Sequence, residues 1–352
     1  LDKAVKKGRS TPEKRDALLA RITPTTDYAA LAGCDLVIEA VFEDRAVKAD
    51  VTAKAEAVIG EGAVFASNTS TLPITGLAQA SRRPASFLGL HFFSPVDKMP
   101  LVEIIVGKET SDETLARGFD YVLQIGKTPI VVNDSRGFYT SRVFGTYVME
   151  GIAMLKEGVH PRSIEVAGLQ AGMPMPPLAL QDEVSLSLGL HVAEQTKKDL
   201  AAEGKPWTEH PGMSVVRQLC EIGRIGKKAG KGFYDYDDDG KRLWPELTTL
   251  YPLAAEQPPQ RELIDRLMFA QANEAARCFE EGVLRSVADG NIGSIFGWGF
   301  APFQGGALQF VNAMGAPAFV ARARELAAKY GPRFEPAAVV VKLAESGGRF
   351  ED

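Results

Sequence analysis

Gly89-Leu90-His91-Phe92-Phe93-Ser94-Pro95, followed shortly by Leu101-Val102-Glu103-Ile104-Ile105, governs the reading of this chain. Phe87 to Phe93 has the make-up of a buried strand: bulky apolar residues, a turn signal at Pro95 and no helical period. Leu101 to Val106 has the same make-up, and its one charge is Glu103. A carboxylate inside such a strand is costly unless it is paired. His91, at the mouth of the neighbouring strand, is the partner within reach. A carboxylate bound to one ring nitrogen fixes the tautomer and leaves the other nitrogen to take or give a proton. The same pair could equally close a sheet edge and do nothing else, and spacing alone does not separate the two.

Around this stretch, strands and helices alternate. Asp35–Phe42, Ala63–Ser67 and Pro129–Val132 read as further strands. Thr11-Pro12-Glu13 starts a helix with Leu18, Leu19 and Ile22 as its apolar face. Asp44 caps another, with Val47, Val51 and Val58 near one face. Ile74–Ala80 is a short helix, and Ser111 opens one with Leu115, Phe119 and Leu123 at four-residue spacing. Such alternation predicts a parallel sheet with helices on its faces.

After Asp134-Ser135-Arg136-Gly137 the character changes. Phe138–Gly158 reads as one long helix, and helices dominate to the end. Arg142–Val159 matches Arg266–Val283 without a gap: Arg142 with Arg266, Glu150 with Glu274, Glu157-Gly158-Val159 with Glu281-Gly282-Val283. Each copy is followed by a Gly- and Pro-rich turn, Gly172–Pro177 and Gly297–Pro302. This predicts a duplicated helical unit whose copies offer each other an apolar face. The polar stretch Asp235–Lys241 suits a linker between them.

At 352 residues, 45% of them apolar and 24% charged, the chain has room for two or three domains with real cores. A net charge of −5 argues against a nucleic-acid groove. No apolar run has the length of a membrane span, and no signal-peptide pattern opens the chain. Cys34, Cys220 and Cys278, far apart and odd in number, point to reduced thiols in a cytoplasmic setting.

The run His91-Phe92-Phe93-Ser94-Pro95-Val96-Asp97-Lys98-Met99-Pro100-Leu101-Val102-Glu103 resembles the catalytic segment of L-3-hydroxyacyl-CoA dehydrogenases. More narrowly, it resembles the version in multifunctional β-oxidation enzymes that fuse an enoyl-CoA hydratase to this dehydrogenase, and the resemblance runs along the whole chain. It implies an α/β fold followed by an all-α one. An incomplete Rossmann-type parallel sheet at residues 1–134 would be joined to a duplicated helical C-terminal domain at 135–240 and 255–352. The reaction implied is oxidation of L-3-hydroxyacyl-CoA to 3-ketoacyl-CoA with NAD, in fatty-acid β-oxidation.

By the same resemblance, His91 is the base and Glu103 orients it. Ser70, in Ala66-Ser67-Asn68-Thr69-Ser70-Thr71, contacts the substrate oxygen and the cofactor; on local pattern alone it would be a helix N-cap ahead of Ile74. Ser141 stands where single-function relatives usually carry the Asn that binds the substrate carbonyl. A hydroxyl donates the same bond with shorter reach. Glu43, Lys48, Ser94 and Lys228 fall at cofactor positions and Lys7 at a CoA position, although most lysines are solvated surface charge.

Dinucleotide binding also calls for a strand, a G-x-G-x-x-G turn and a helix N-terminus. Gly297-Trp298-Gly299 is the nearest spacing, and it opens no helix after a strand. The expectation is therefore a fragment cut after the missing unit, impaired in NAD binding by itself, with the hydratase upstream. Two other functions compete: a dehydrogenase of related 3-hydroxy acids, and a non-catalytic module that docks a thiolase subunit.

Overall fold

The short apolar runs become one sheet of five strands, in spatial order β1 (Leu36–Glu39), β2 (Val64–Ser67), β3 (Phe87–Phe92), β4 (Leu101–Val106) and β5 (Thr128–Asn133). The structure, a computed structural model, describes residues 1–238 and 240–352. β1, β2 and β3 are parallel, whereas β4 runs antiparallel to β3 and β5 parallel to β4. The parallel sheet expected above holds for every neighbouring pair but β3–β4. The link from Phe93 to Pro100 is too short for a parallel crossover, which needs a dozen or more residues.

The sheet separates two cores. Phe65, Phe87, Leu101, Ile105 and Ile130 face a large core shared with the helical half. Val64, Ala66, Leu88, Leu90, Val102 and Ile104 face a smaller one that Val122 of the Asp112–Gln124 helix closes. That helix turns Thr114, Gly118 and Val122 inward, leaving Phe119 and Leu123 exposed, contrary to the four-residue spacing. Gly118 lets it approach closely, since a Cβ there would lie 3.2 Å from Leu88 Cδ2.

Two other apolar faces are also corrected. The Pro12–Leu19 helix buries no residue, and Leu18, Leu19 and Ile22 are exposed. The Arg45–Glu56 helix, capped by Asp44 as expected, buries Lys48, Thr52, Ala55 and Glu56, while Val47 is exposed. Its inward face is mostly polar because each group there has a partner: Lys48 pairs with Glu39 and Glu43, Thr52 donates to the Lys48 carbonyl, and Glu56 accepts from Ser81 and the Arg82 N–H.

In the second half, Thr140–Lys156 packs along Gln260–Glu280. The first of these helices starts at Thr140, two residues later than Phe138, because Gly137 and Phe138 take left-handed φ angles of 71° and 49°. Arg142 pairs with Glu274 and Glu281, and Arg266 pairs with Glu150 at 2.5 Å and Glu157 at 2.6 Å. The gapless match of the two segments therefore has a physical counterpart, an exchange of equivalent ion pairs across a pseudo-two-fold axis.

The supposed linker is a hairpin, with Tyr234–Asp237 antiparallel to Gly240–Leu243. Asp239, within that stretch, lies outside the described residues. Tyr234-Asp235-Tyr236-Asp237 alternates with period two, which is a strand signal. Among the described residues no helix is long and apolar enough to cross a membrane. No cluster of His, Cys, Asp and Glu among them could hold a metal ion.

Candidate active site

His91 and Glu103 are register partners in the β3–β4 ladder. Directly opposed residues project to the same face of a sheet, so the two side chains meet. His91 Nδ1 lies 2.9 Å from Glu103 Oε2, with the residues 6% and 0% exposed. The other donors to Glu103 come from the helical half. The backbone N–H groups of Tyr139 and Thr140 donate to Oε1 at 2.9 and 3.1 Å, and the Thr140 hydroxyl donates to Oε2 at 2.5 Å. Left-handed backbone at Gly137 and Phe138 aims these consecutive N–H groups at one oxygen. Phe138 has a Cβ, so it carries strain that the surrounding contacts must hold. In return the buried carboxylate is fully hydrogen-bonded.

The imidazole has two rings beside it, Phe93 at 4.4 Å and Phe138 at 6.2 Å between centroids. A carboxylate at Nδ1 places the proton there, so Nε2 keeps its lone pair. The arrangement is a base with one free nitrogen, fixed in direction and shielded on its flanks.

A second buried network shapes the ends of β1 and β2. Glu39 Oε1 accepts from the Val41 N–H at 2.7 Å and from Lys48 Nζ at 2.9 Å, while Oε2 accepts from Ser67 Oγ at 2.7 Å. Lys48 is 2% exposed and also lies 3.2 Å from Glu43 Oε2. It is not the solvated charge that lysine usually is. Glu43 Oε1 accepts from the Thr69 and Thr71 hydroxyls at 2.5 and 3.2 Å and from the Ser70 N–H at 3.2 Å. Burial raises the Glu43 carboxyl, but the Thr69 hydroxyl and the Lys48 charge outweigh it and hold the group below its ordinary range.

This network positions the Ser67–Thr71 loop. Asn68 Oδ1 accepts from the Phe92 N–H at 2.8 Å and so ties that loop to the end of β3 beside His91. Ser70 does not cap the next helix. Asp134 does, accepting from the Ile74 and Thr75 N–H groups at 2.9 and 2.7 Å. The Ser70 hydroxyl makes no hydrogen bond among the described residues. Ser94 follows β3 at the surface, and Ser141 adjoins Thr140 in the first turn of its helix.

The structure thus gathers His91, Glu103, Glu43, Lys48 and the Ser70 loop, with Ser94 and Ser141 on flanking segments. Lys228 stands apart, exposed on a turn packed against the Pro177–Val184 helix, and Lys7 is exposed at the end of the Asp2–Lys6 helix. Sequence reasoning missed Thr140, Asn68, Glu39 and Asp134. Gly137, just ahead of the helix, was the one local sign of the turn that delivers Thr140.

A parallel-led sheet with a buried His–Glu pair set across two of its strands, braced by a helical domain, fits a dehydrogenase of the dinucleotide-binding α/β class. Residues 1–135 match the family model described as 3-hydroxyacyl-CoA dehydrogenase, NAD binding domain, and residues 137–236 match the 3-hydroxyacyl-CoA dehydrogenase C-terminal domain. The chain belongs to the 3-hydroxyacyl-CoA dehydrogenase family.

Among similar proteins, the fatty acid oxidation complex subunit alpha of Shewanella frigidimarina is 40% identical over 354 residues, covering 99% of this chain and 49% of that protein. The chain spans about half the length of the curated relatives it matches. The crystal structure of 3-hydroxybutyryl-CoA dehydrogenase from Escherichia coli superposes with a TM-score of 0.82 at 26% identity, covering 98% of this chain and 89% of that one. The (S)-3-hydroxybutyryl-CoA dehydrogenase of Ralstonia eutropha gives a TM-score of 0.61 at 35% identity, covering 67% of this chain and 83% of that one.

The family's cofactor is NAD, and the polar groups at the ends of β1 to β3 have the chemistry to hydrogen-bond one part of it. Glu43 offers an acidic acceptor, while Ser70 and Ser94 have hydroxyls with no partner among the described residues. Among those residues no Gly-rich turn leads from a strand of this sheet into a helix, so the fit covers that part of the cofactor alone.

Proposed function

We propose that this chain oxidises L-3-hydroxyacyl-CoA to 3-ketoacyl-CoA in fatty-acid β-oxidation. The observation that carries this reading is the buried 2.9 Å contact of His91 Nδ1 with Glu103 Oε2, which fixes the ring and leaves Nε2 free to face a substrate. NAD, when bound, supplies the hydride acceptor. His91 Nε2 takes the proton of the substrate hydroxyl as the carbonyl forms, and returns it in the reverse direction. Glu103 stabilises the imidazolium so produced. Ser70 and Ser141 donate to the reacting oxygen, where charge changes along the path.

Glu43 and Ser94 hold the cofactor, with Lys48 acting through Glu43. Lys228 and Lys7 lie apart from this site, and the family motif alone supports them as cofactor and CoA positions. The domains would run 1–134, 135–240 and 255–352. The relatives are named as subunits of a fatty acid oxidation complex. For this protein we assign a thiolase subunit as partner, an enoyl-CoA hydratase as companion activity and the cytoplasm as compartment.

The test is incubation with NAD and either enantiomer of 3-hydroxybutyryl-CoA, or with free 3-hydroxybutyrate. NADH and 3-ketoacyl-CoA should form from the L-thioester alone. Equal turnover of the free acid would favour a dehydrogenase of smaller hydroxy acids. In the natural full-length protein, neither NADH binding nor turnover, with thiolase still bound, would favour a pure assembly module.

A further inference from the structure

We propose that Thr140 is a positioning residue for the proton-transfer pair, its hydroxyl holding the Glu103 oxygen that carries His91. This deepens the dehydrogenase reading and, for its kinetic arm, rests on it. Glu103 Oε2 has two partners: His91 Nδ1 at 2.9 Å and Thr140 Oγ1 at 2.5 Å. The hydroxyl also lies 3.5 Å from Nδ1, but that nitrogen already bears the proton it gives to Glu103. The Thr140 O–H therefore has one acceptor, Oε2.

The geometry gives this bond a specific task. Oε1 is fixed by two backbone N–H groups, which any residue at position 140 would supply in part. Oε2, the oxygen that sets the line of the imidazole, has only a side-chain hydroxyl to fix it from the helical half. Among hydrogen bonds, those to a charged acceptor are the stronger kind, and in a buried site they are worth more again. Loss of the hydroxyl frees the carboxylate plane to tilt, and the direction of Nε2 tilts with it. A base displaced by a fraction of an ångström loses rate while substrate binding is unaffected. Thr140 also has a packing role, because its Cγ2 lies against Gly297, where a Cβ would come within 3.1 Å of it.

The two roles separate by substitution in the natural full-length protein. Thr140→Val keeps the methyl contact and removes the hydroxyl, whereas Thr140→Ser keeps the hydroxyl and removes the methyl. Thr140→Val should lower kcat roughly tenfold with KM hardly moved, and Thr140→Ser should restore it. A readout independent of turnover is the downfield proton resonance of the His91 imidazole, identified by its loss in His91→Gln. It should shift in Thr140→Val and stay in place in Thr140→Ser. If Thr140→Val fails to fold, Thr140→Ala takes its place. The proposal is overturned if Thr140→Val keeps its kcat, if the resonance does not move, or if Thr140→Ser loses as much as Thr140→Val. Failure of the dehydrogenase reading would show separately, as a wild-type protein without turnover, and the resonance alone would then decide the role of Thr140.

Discussion

Glu103 stands opposite His91 across the β3–β4 ladder, and the oxygen not bound to His91 accepts the first N–H groups of the Thr140–Lys156 helix. One carboxylate therefore joins the sheet, His91 and the helical half. Glu103→Gln replaces an oxygen surrounded by donors with an NH2 group, itself a donor. Both function and fold should suffer: a loss in kcat of about a hundredfold or more, and roughly 3 kcal/mol of stability. Steady-state kinetics and urea unfolding read the two effects. A stable, active variant would show that the charge at this position is incidental.

Lys48 lies 2% exposed between Glu39 and Glu43. Removing one member of a buried ion cluster leaves the others uncompensated, at about 3–5 kcal/mol. Lys48→Met should therefore destabilise the protein by that order. It should also weaken NADH binding, because Glu43 loses the charge that holds it beneath the Ser70 loop. Unfolding and NADH fluorescence titrations measure these effects. Unchanged affinity in a folded variant would remove Lys48 from the cofactor site.

The equivalent pairs across the helical interface differ in burial. Arg266 and Glu150 are both fully buried, and Glu150 also takes Arg333 at 2.6 Å, whereas the Arg142 side chain is 19% exposed. Arg266→Met should cost about 3 kcal/mol and Arg142→Met about 1 kcal/mol. Denaturant midpoints of the two variants give the comparison. Equal costs would mean that burial does not set the strength of this interface.

Glu165 accepts from the Leu178 and Ala179 N–H groups and the Tyr234 hydroxyl, and so binds the Pro177–Val184 helix to the hairpin. Burial pushes its carboxyl up to about 7, against the Tyr234 and backbone hydrogen bonds that oppose the shift. The folded state then binds this proton more tightly than the unfolded chain, whose carboxyl titrates near 4.5. The associated stability is complete below about pH 4.5 and fades as pH rises to about 7, by roughly 3 kcal/mol. Asp182, pushed up to about 6 by burial, adds a change of the same sign. Urea unfolding at pH 5 and pH 8 should show a smaller difference in Glu165→Gln than in the wild type. An identical slope in both would contradict the shift.

The His91–Glu103 pair was legible because a lone charge in an apolar strand demands a partner and the adjacent strand held just one. Ser70 enters the proposed site only through the family motif, since the local pattern favoured a cap that Asp134 supplies from 60 residues away in the chain. The buried state of Lys48 was hidden, as nothing local tells a paired lysine from a solvated one. Phe119, Leu123, Leu18 and Leu19 misled because helical spacing names an apolar stripe, not the neighbour that covers it. Thr140 escaped notice because its task depends on left-handed backbone at Phe138, a non-glycine residue in which that conformation is rare.

The most direct measurement is single-turnover NADH formation from L-3-hydroxybutyryl-CoA by the wild type and His91→Gln, with cofactor and substrate affinities measured alongside. The account predicts that binding survives in the variant while hydride transfer slows by about a hundredfold or more. Transfer in His91→Gln at close to the wild-type rate would contradict it, and the proton would then have to leave by a group other than His91.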